Sequence, residues 1–275
     1  MNNLTIGCQL VCHYGEYKTL RDQWVKAEEL GADRLFASDH LHAIPIDPAL
    51  LTGPNDGSHN TTVPMNVFEG TTIQAAMAAT TSRAQIGCSV NCNAYRNPNM
   101  LAYISSTIDH ISDGRFFLGI GTGFAKADFD AYGYEYGTQS SRSLALDRDI
   151  PVILDRFTKL MPPPKHKIPL MVASMGEKIG LRTVAKYADI WHVYGPFELM
   201  MAKTEVLKQH CKEVGRDFNE IEICTNWWPD LMKGSDDTLE NYVKMGAGHI
   251  MVVTQGPNWD LGLFKELAAW HKSLG

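Results

Sequence analysis

The residues Ser38, Asp39 and His40 directly follow an apolar run that ends at Ala37, and they precede a long segment rich in turn residues. A polar pair such as Asp39 and His40 has no structural reason to stand at the end of a buried strand, which favours a functional placement. Imidazole and carboxylate are the groups that move protons near neutral pH. In the alternative interpretation, Asp39 caps a local turn and His40 is exposed to solvent.

A second polar group runs from the end of an apolar strand into the start of a helix, in the order Ala173-Ser174-Met175-Gly176. Backbone N–H groups at a helix N-terminus, together with the Ser174 hydroxyl, can hold a phosphate. We therefore predict that these four residues bind the phosphate of a ligand. A serine that only caps the helix would look the same in sequence.

A glycine cluster, Gly119-Ile120-Gly121-Thr122-Gly123, follows another apolar run. It is not the dinucleotide fingerprint, because the pattern is G-x-G-x-G and no acidic residue follows the next strand in the required arrangement. Glycines here instead let the backbone approach a cofactor closely, and Gly121 and Thr122 are the predicted contacts. A tight corner of a barrel is the alternative explanation.

A metal site is the alternative chemistry for the polar residues that follow these strands. The four residues that could approach one ion are Asp39, His40, His42 and His192. Metal-dependent hydrolases built on barrels usually carry a His-x-His pair after the first strand, whereas this strand ends Cys12-His13. We therefore predict no metal, and a metal-dependent barrel hydrolase is the remote alternative.

The elements that position these groups alternate along the whole chain as apolar strand-like runs and amphipathic helical windows. The predicted strands are 4–11, 33–37, 84–90, 116–120, 169–173, 190–193, 220–227 and 249–254. The predicted helices are 18–30, 68–80, 99–111, 140–160, 178–187, 196–214, 238–244 and 261–274. Eight pairs without a break in composition predict an α/β fold, a (β/α)8 TIM barrel formed by one domain over residues 1–275. The polar groups would then meet at the carboxyl ends of the strands.

Two connections between these elements are long. Segment 40–67 is rich in Pro, Gly, Asn and Asp and is expected to form turns rather than a helix. Segment 122–139 carries five aromatic residues. We expect those aromatic side chains to form an apolar wall over a planar ligand or a contact between subunits.

Several motifs occur in order in segment 81–123: T-S-R, G-C-S-V, R-N-P and T-I-D-H-I-S-D-G-R-F-F-L-G-I-G-T-G. With the S-D-H motif at 38–40 and the stretch A-S-M-G-E-K-I-G-L-R-T-V-A-K-Y-A-D-I-W at 173–191, they resemble the luciferase-like flavin and deazaflavin oxidoreductases. The members of that family are (β/α)8 barrels that transfer hydride or activate oxygen. The resemblance spans about two-thirds of the chain.

The resemblance implies an oxidoreductase that depends on coenzyme F420 and exchanges hydride with a small organic substrate, with an FMN-dependent monooxygenase as the alternative. It implies that His40 is catalytic and transfers a proton beside the cofactor ring. It also implies a bulge with a cis peptide at Ser89-Val90 behind the ring, and a homodimer. The expected cofactor contacts are Asp39, His40, Ser89, Val90, Asn91, Gly121, Thr122, Ala173, Ser174, Met175 and Gly176.

One position departs from the family pattern. Sugar-phosphate dehydrogenases of the family carry a catalytic glutamate after the glycine cluster, and Phe124 stands at the matching position here. The basic residues that a phosphorylated sugar needs are not evident either. The resemblance therefore does not extend to sugar-phosphate dehydrogenase activity.

Composition excludes other classes of function. With 44% hydrophobic and 20% charged residues, the chain has the composition of a globular protein. Its 25 basic and 31 acidic residues give a net charge of −6 without long runs of one sign, which disfavours nucleic acid as a partner. Without a membrane-span or signal-peptide pattern, we expect a cytoplasmic protein. We expect its six cysteines to be buried thiols.

Overall fold

The computed structural model describes residues 4–44, 65–229 and 238–274. Its strands all run parallel in one sheet. They are β1 (Thr5–Leu10), β2 (Arg34–Ala37), β3 (Gln85–Cys88), β4 (Asn91–Cys92), β5 (Leu118–Gly121), β6 (Leu170–Ala173), β7 (Ile190–His192), β8 (Glu222–Asn226) and β9 (Ala247–Thr254).

The order of the strands in the sheet is β3-β2-β1-β9-β8-β7-β6-β5-β4, and the two strands at its ends are consecutive in sequence. Only Ser89 and Val90 separate β3 from β4, so one stretch of chain pairs with β2 through its first half and with β5 through its second. The N–H of Phe117 also donates to the carbonyl of Ile86 at 3.0 Å, which joins β3 to the residues that lead into β5. With β3 and β4 counted as one interrupted strand, the sheet is the predicted eight-stranded barrel.

The peptide bond between Ser89 and Val90 is cis, as the resemblance implies, and it lies where β3 passes into β4.

Helices cover the outside of the barrel. They are α1 (Tyr17–Glu29), α2 (Gly70–Thr80), α3 (Pro98–Ile111), α4 (Lys126–Tyr132), α5 (Gln139–Phe157), α6 (Gly180–Tyr187), α7 (Phe197–Val214), α8 (Leu239–Met245) and α9 (Gly262–Ser273). Their ends carry ordinary stop and start signals, such as Pro98 in the first turn of α3 and Gly215 with φ 73° after α7. Within the described ranges, no helix is long and apolar enough to cross a membrane.

Helix α4 corrects the prediction that segment 122–139 is only a loop. It is a helix of seven residues that ends at Gly133, whose φ of 73° suits the left-handed C-terminal position. Such a short helix gives too few turns for an apolar periodicity to be visible in sequence. In the other long connection, residues 45–64 lie outside the described part of the chain.

The inside of the barrel is layered. At the amino ends of the strands, Arg34 forms an ion pair with Glu222 and donates from Nε to Gln85 at 2.7 Å. The middle layer is apolar and consists of Phe36, Phe117, Met171, Ile190, Cys224 and Met251. Above it, towards the carboxyl ends, the interior becomes polar. Because the interior of such a barrel is filled by side chains, ligands bind at the carboxyl ends of its strands, and we call this end the mouth.

The cysteines are free and buried, which confirms the predicted thiols. Burial raises the pKa of Cys12 and of Cys92 to about 12, so these thiols are unreactive at neutral pH.

Candidate active site

The floor of the mouth is a neutral polar layer formed by Gln9, Ser89, His192 and Asn226. Gln9 donates from Nε2 to the carbonyl of Ser89 at 2.7 Å. The Nε2 of His192 lies 3.0 Å from the Oδ1 of Asn226, and its Nδ1 lies 3.4 Å from the Ser89 hydroxyl. Burial lowers the pKa of His192 to about 4, against a smaller opposing effect of Asn226. The imidazole is therefore neutral at pH 7, with its proton on Nε2, and the floor offers hydrogen bonds without charge.

His40 lies at the rim of the mouth, where it is held by a carboxylate that the sequence analysis did not identify. Its Nδ1 is 3.2 Å from Oδ2 of Asp128 on α4, and its side chain is 21% exposed. The Nδ1 of His42 is 2.7 Å from the other oxygen of Asp128. Phe124 packs edge-on against the His40 ring, with centroids 5.2 Å apart. His40 therefore combines a fixed orientation with access to the mouth.

Asp128 is fully buried and accepts a further hydrogen bond from the hydroxyl of Tyr95 at 3.0 Å. Burial by itself would raise the pKa of the Asp128 carboxyl, but hydrogen bonds and charge from His40 and a hydrogen bond from His42 outweigh it and lower that pKa. Burial also raises the pKa of Tyr95, which keeps its hydroxyl protonated as a donor. The cluster thus contains an ionised carboxylate with three donors.

Asp39, the neighbour of His40, is turned away from this cluster. Its carboxylate accepts from both terminal nitrogens of Arg96, at 2.7 and 2.8 Å, and from the N–H of Cys92 at 2.9 Å. Arg96 also forms an ion pair with Glu69. The Asp39 side chain therefore joins the end of β2 to the end of β4 and is neither a cap of a local turn nor exposed.

Val90 and Asn91, two predicted contacts, lie at the junction of β3 and β4. The amide of Asn91 is buried in the barrel wall, where Nδ2 donates to the Gly119 carbonyl and Oδ1 accepts from Gln74, both at 2.9 Å. Val90 is half-buried and packs on the apolar middle layer. The Asn91 side chain is therefore engaged by protein groups, and Val90 lies beside the floor.

The glycine cluster allows close packing of β5 against this junction. A Cβ atom on Gly119 would overlap the carbonyl oxygen of Cys88, and one on Gly121 would lie 2.7 Å from the Cγ2 of Val90. The close approach of two strands, rather than contact with a cofactor, therefore accounts for Gly119. At Gly121 the missing side chain leaves room for Val90 next to the mouth.

We predict that Gly119→Ala is strongly destabilising, by about 3 kcal/mol or more, because the new methyl group meets rigid backbone rather than a movable side chain. Urea denaturation of the two proteins measures the difference. Gly176→Ala is the matched control, since the nearest atom to a Cβ there is 3.9 Å away. Equal stability of Gly119→Ala and the parent protein would contradict the packing at this strand.

Residues 173–176, the predicted phosphate site, form a turn that brings the Ser174 hydroxyl to the N-terminus of α6. We call this segment the phosphate turn. A Cβ on Gly180, the first residue of α6, would collide with the Ser174 Oγ, so the two groups touch. The turn itself is fixed by Trp191, which donates from Nε1 to the Ser174 carbonyl at 2.8 Å. Since Ile179 rather than Ser174 is the N-cap residue, the serine is not a plain helix cap.

Thr122 follows β5 and lines a cleft of about 500 Å³ on the outer side of the glycine cluster. Tyr136 and Arg142 line the same cleft, and Arg142 lies over the Tyr136 ring at 4.0 Å. The aromatic residues of segment 122–139 mostly pack on one another and on Tyr95, rather than over the mouth. Phe124, which contacts His40, departs from that pattern.

Two buried polar groups at the mouth have no hydrogen-bond partner among the described residues. They are the ring nitrogens of His13, after β1, and the indole nitrogen of Trp228, after β8. Burial lowers the pKa of His13 to about 3, helped by the nearby His40, so its ring is neutral. Buried polar atoms are normally paired, and unpaired ones at the mouth favour a polar ligand there.

The four residues proposed for a metal do not converge. The Asp39 carboxylate is bound by Arg96, His40 and His42 both face Asp128, and His192 faces Asn226. In residues 4–44, 65–229 and 238–274, no group of three or more His, Cys, Asp or Glu side chains is placed to hold a metal ion. The hydrolase alternative therefore lacks its set of ligands.

Comparison with known proteins identifies relatives of this chain. A family model described as luciferase-like monooxygenase matches residues 8–150. An F420-dependent glucose-6-phosphate dehydrogenase of Amycolatopsis mediterranei (strain U-32) is 29% identical over 181 residues, which cover 60% of this chain and 48% of that protein. The chain thus spans about half the length, or less, of the first curated relatives that it matches.

Two solved structures show the same fold. An F420-dependent secondary alcohol dehydrogenase, in complex with an F420-acetone adduct, superposes with a TM-score of 0.77 at 16% identity, over 97% of this chain and 98% of that one. The oxygenating constituent of 3,6-diketocamphane monooxygenase from Pseudomonas putida, in complex with FMN, gives 0.61 at 15% identity, over 82% and 68%.

Proposed function

Because the chain belongs to the luciferase-like monooxygenase family, we propose that it is a coenzyme F420-dependent oxidoreductase that exchanges a hydride with a small organic substrate. The observation that carries the proposal is His40, fixed by a buried carboxylate beside an uncharged polar floor. That arrangement supplies a proton-transfer group and leaves the redox chemistry to a bound cofactor. The F420-dependent relative and the F420-dependent structural neighbour support the choice of cofactor.

The residues at the mouth fit such a cofactor. Its ring would lie over the floor, where His13 and Trp228 offer unpaired polar atoms. Its phosphate would lie at the start of α6, beside Ser174. When bound, the deazaflavin supplies or accepts hydride at C5 of its ring.

The predicted contacts divide into two kinds. The side chains of Asp39 and Asn91 are already bonded to protein groups, so we propose that they shape the mouth by holding β4 in place. The proposed direct contacts are His40, Ser89, Val90, Gly121, Thr122, Ala173, Ser174, Met175 and Gly176.

We propose that the substrate is small and apolar around its reacting carbon. Phe124 lies against His40, and Tyr194 and Trp228 contact each other edge-on at 5.6 Å on the opposite side of the floor. Phe124 replaces the glutamate of the sugar-phosphate dehydrogenases, so a phosphorylated sugar is not proposed.

In the reducing direction His40 would give a proton to the substrate oxygen, and in the oxidising direction it would take one. A substrate panel of ketones, secondary alcohols and sugar phosphates tests this, and turnover of sugar phosphates alone would contradict it.

The cofactor can be identified by its effect on stability. A ligand present at 100 times its Kd stabilises the folded protein by about 2.7 kcal/mol, which raises Tm by several degrees in a chain of this size. We expect that rise with F420 and a smaller one with FMN, measured side by side by thermal denaturation. A larger rise with FMN would favour the alternative, an FMN-dependent monooxygenase, which the similarity to the FMN-bound structure supports.

We further propose that the chain forms one domain over residues 1–275 and acts in the cytoplasm as a homodimer, with a small molecule rather than nucleic acid or a membrane as its partner. The outer face of α3 exposes Met100, Tyr103 and Ile111, each more than 40% exposed, which suits burial against a second copy. Light scattering of the purified protein tests the dimer. A mass near the 30.6 kDa of one chain would contradict it.

A further inference from the structure

The carboxylate of Asp128 is the centre of a cluster that nothing in the family pattern of the sequence indicates. It lies four residues beyond Phe124, on the short helix α4, and its side chain has no exposed surface. Its two oxygens accept from three side chains: His40 Nδ1 at 3.2 Å, His42 Nδ1 at 2.7 Å and the Tyr95 hydroxyl at 3.0 Å. A buried carboxylate of this kind needs such donors, because burial alone would strongly disfavour its charge.

An ionised carboxylate can only accept hydrogen bonds. Each histidine nitrogen that faces Asp128 must therefore carry a hydrogen. For His40, this places the hydrogen on Nδ1 and leaves Nε2 to gain or lose a proton. The other neighbours of the ring, His13 and Phe124, supply no carboxylate that would compete for this role.

We propose that Asp128 is the positioning residue of the active site and that it acts through His40; this inference rests on the proposed function. Asp128 fixes the tautomer and the orientation of the His40 ring, so that Nε2 faces the substrate. When a carbonyl is reduced, hydride supplied by reduced F420 would add to its carbon, and the proton on Nε2 of His40 would pass to its oxygen. His40 becomes neutral, keeps its Nδ1–H on Asp128, and regains a proton from solvent. The carboxylate that the sequence lacks at position 124 is thus present four residues later, in an orienting role.

The first test is the tautomer of His40 in the wild-type protein, measured by ¹⁵N NMR of labelled histidines and assigned with His40→Gln. We expect the neutral ring to carry its hydrogen on Nδ1. A neutral ring protonated on Nε2 would overturn the proposal. This measurement needs neither cofactor nor turnover, so it stands apart from the proposed function.

The second test compares Asp128→Asn with Asp130→Asn, a matched control on the same helix whose side chain is 58% exposed and pairs with Lys126. In Asp128→Asn we expect loss of the Nδ1–H tautomer of His40 and a roughly 10- to 100-fold lower kcat, with little change in KM or in the Kd of F420. Asp130→Asn should behave as the wild type. Turnover by Asp128→Asn at the wild-type rate would overturn the proposal.

Two outcomes separate this inference from the proposed function. If F420 does not bind the wild-type protein, the proposed function fails whatever the state of His40. If F420 binds and is turned over, but the His40 tautomer is the same in wild type and Asp128→Asn, only the role of Asp128 fails. Asp128→Glu keeps the charge, and we expect it to retain the wild-type tautomer and to recover part of the lost kcat.

Discussion

Replacement of His40 by glutamine lowers the kcat of hydride transfer by about 10²- to 10⁴-fold, the usual contribution of a positioned proton donor or acceptor. The reason is that glutamine keeps a polar side chain of similar reach at the rim but cannot exchange a proton. The Kd of F420 should change little, because the phosphate turn and the floor remain intact. Single-turnover kinetics of the reduced cofactor with substrate measure the chemical step directly.

The matched control is His110→Gln, at a half-buried histidine whose Nε2 contacts the carbonyl of Pro163. His110 lies in the last turn of α3, which leads into the amino end of β5 rather than into the mouth. We expect this substitution to leave kcat unchanged. If His40→Gln turned over at the rate of His110→Gln, proton transfer would not pass through His40. His13, 6.4 Å from the His40 ring, would then be the next residue to replace.

Replacement of Arg96 by methionine destabilises the protein by about 3 to 5 kcal/mol, because it leaves the buried carboxylate of Asp39 without its ion-pair partner. The Asp39 side chain has no exposed surface, and its carboxylate accepts hydrogen bonds from both terminal nitrogens of Arg96. Solvent therefore does not reach the carboxylate to replace the guanidinium. Urea denaturation measures the loss. Arg21→Met is the control, since Arg21 pairs with Asp22 at the surface and the two side chains are 42% and 47% exposed.

Stability at low pH gives an independent check of the ion pairs that Arg96 forms with Asp39 and Glu69. Burial opposes the charge of Glu69, but hydrogen bonds from Thr72 and Arg96 lower the pKa of Glu69 from 4.5 to about 2. A carboxylate with a lowered pKa in the folded state stabilises it above pH 4.5, and this contribution is lost between pH 4.5 and about 2. In Arg96→Met this pH dependence should become weaker. If Arg96→Met were as stable as Arg21→Met and its stability fell over the same acid range as that of the wild type, the role given to Arg96 beside Asp39 would be wrong.

The barrel could be predicted from sequence because each strand and most helices leave a local pattern. The run 84–90 and the helix signal at Pro98 are examples, and both correspond to elements of the structure within a few residues. Helix α4 leaves no such pattern, since it has only seven residues and its side chain Phe129 packs in a small separate cluster with Cys92 and Tyr95. The sequence therefore specified the position of His40, whereas it gave no sign of the helix that orients it.

The residues near the mouth could be predicted from sequence because the carboxyl ends of parallel strands in a barrel lie together. His40, Ser89 and Ser174 lie there as expected from their places after β2, β3 and β6. Which way a side chain turns depends on partners distant in sequence. Asp39 turns to Arg96, 57 residues away, and His40 turns to Asp128, 88 residues away. An acidic residue shortly after Phe124 was the one signal that could have indicated Asp128.

The most direct test of the proposed function is a fluorescence titration of oxidised F420 with the purified wild-type protein. We predict a saturable change in the fluorescence of the deazaflavin, with a Kd in the micromolar range or below and one binding site per chain. Fluorescence that stays unchanged at micromolar cofactor and excess protein would contradict the claim that the mouth of this barrel binds a deazaflavin.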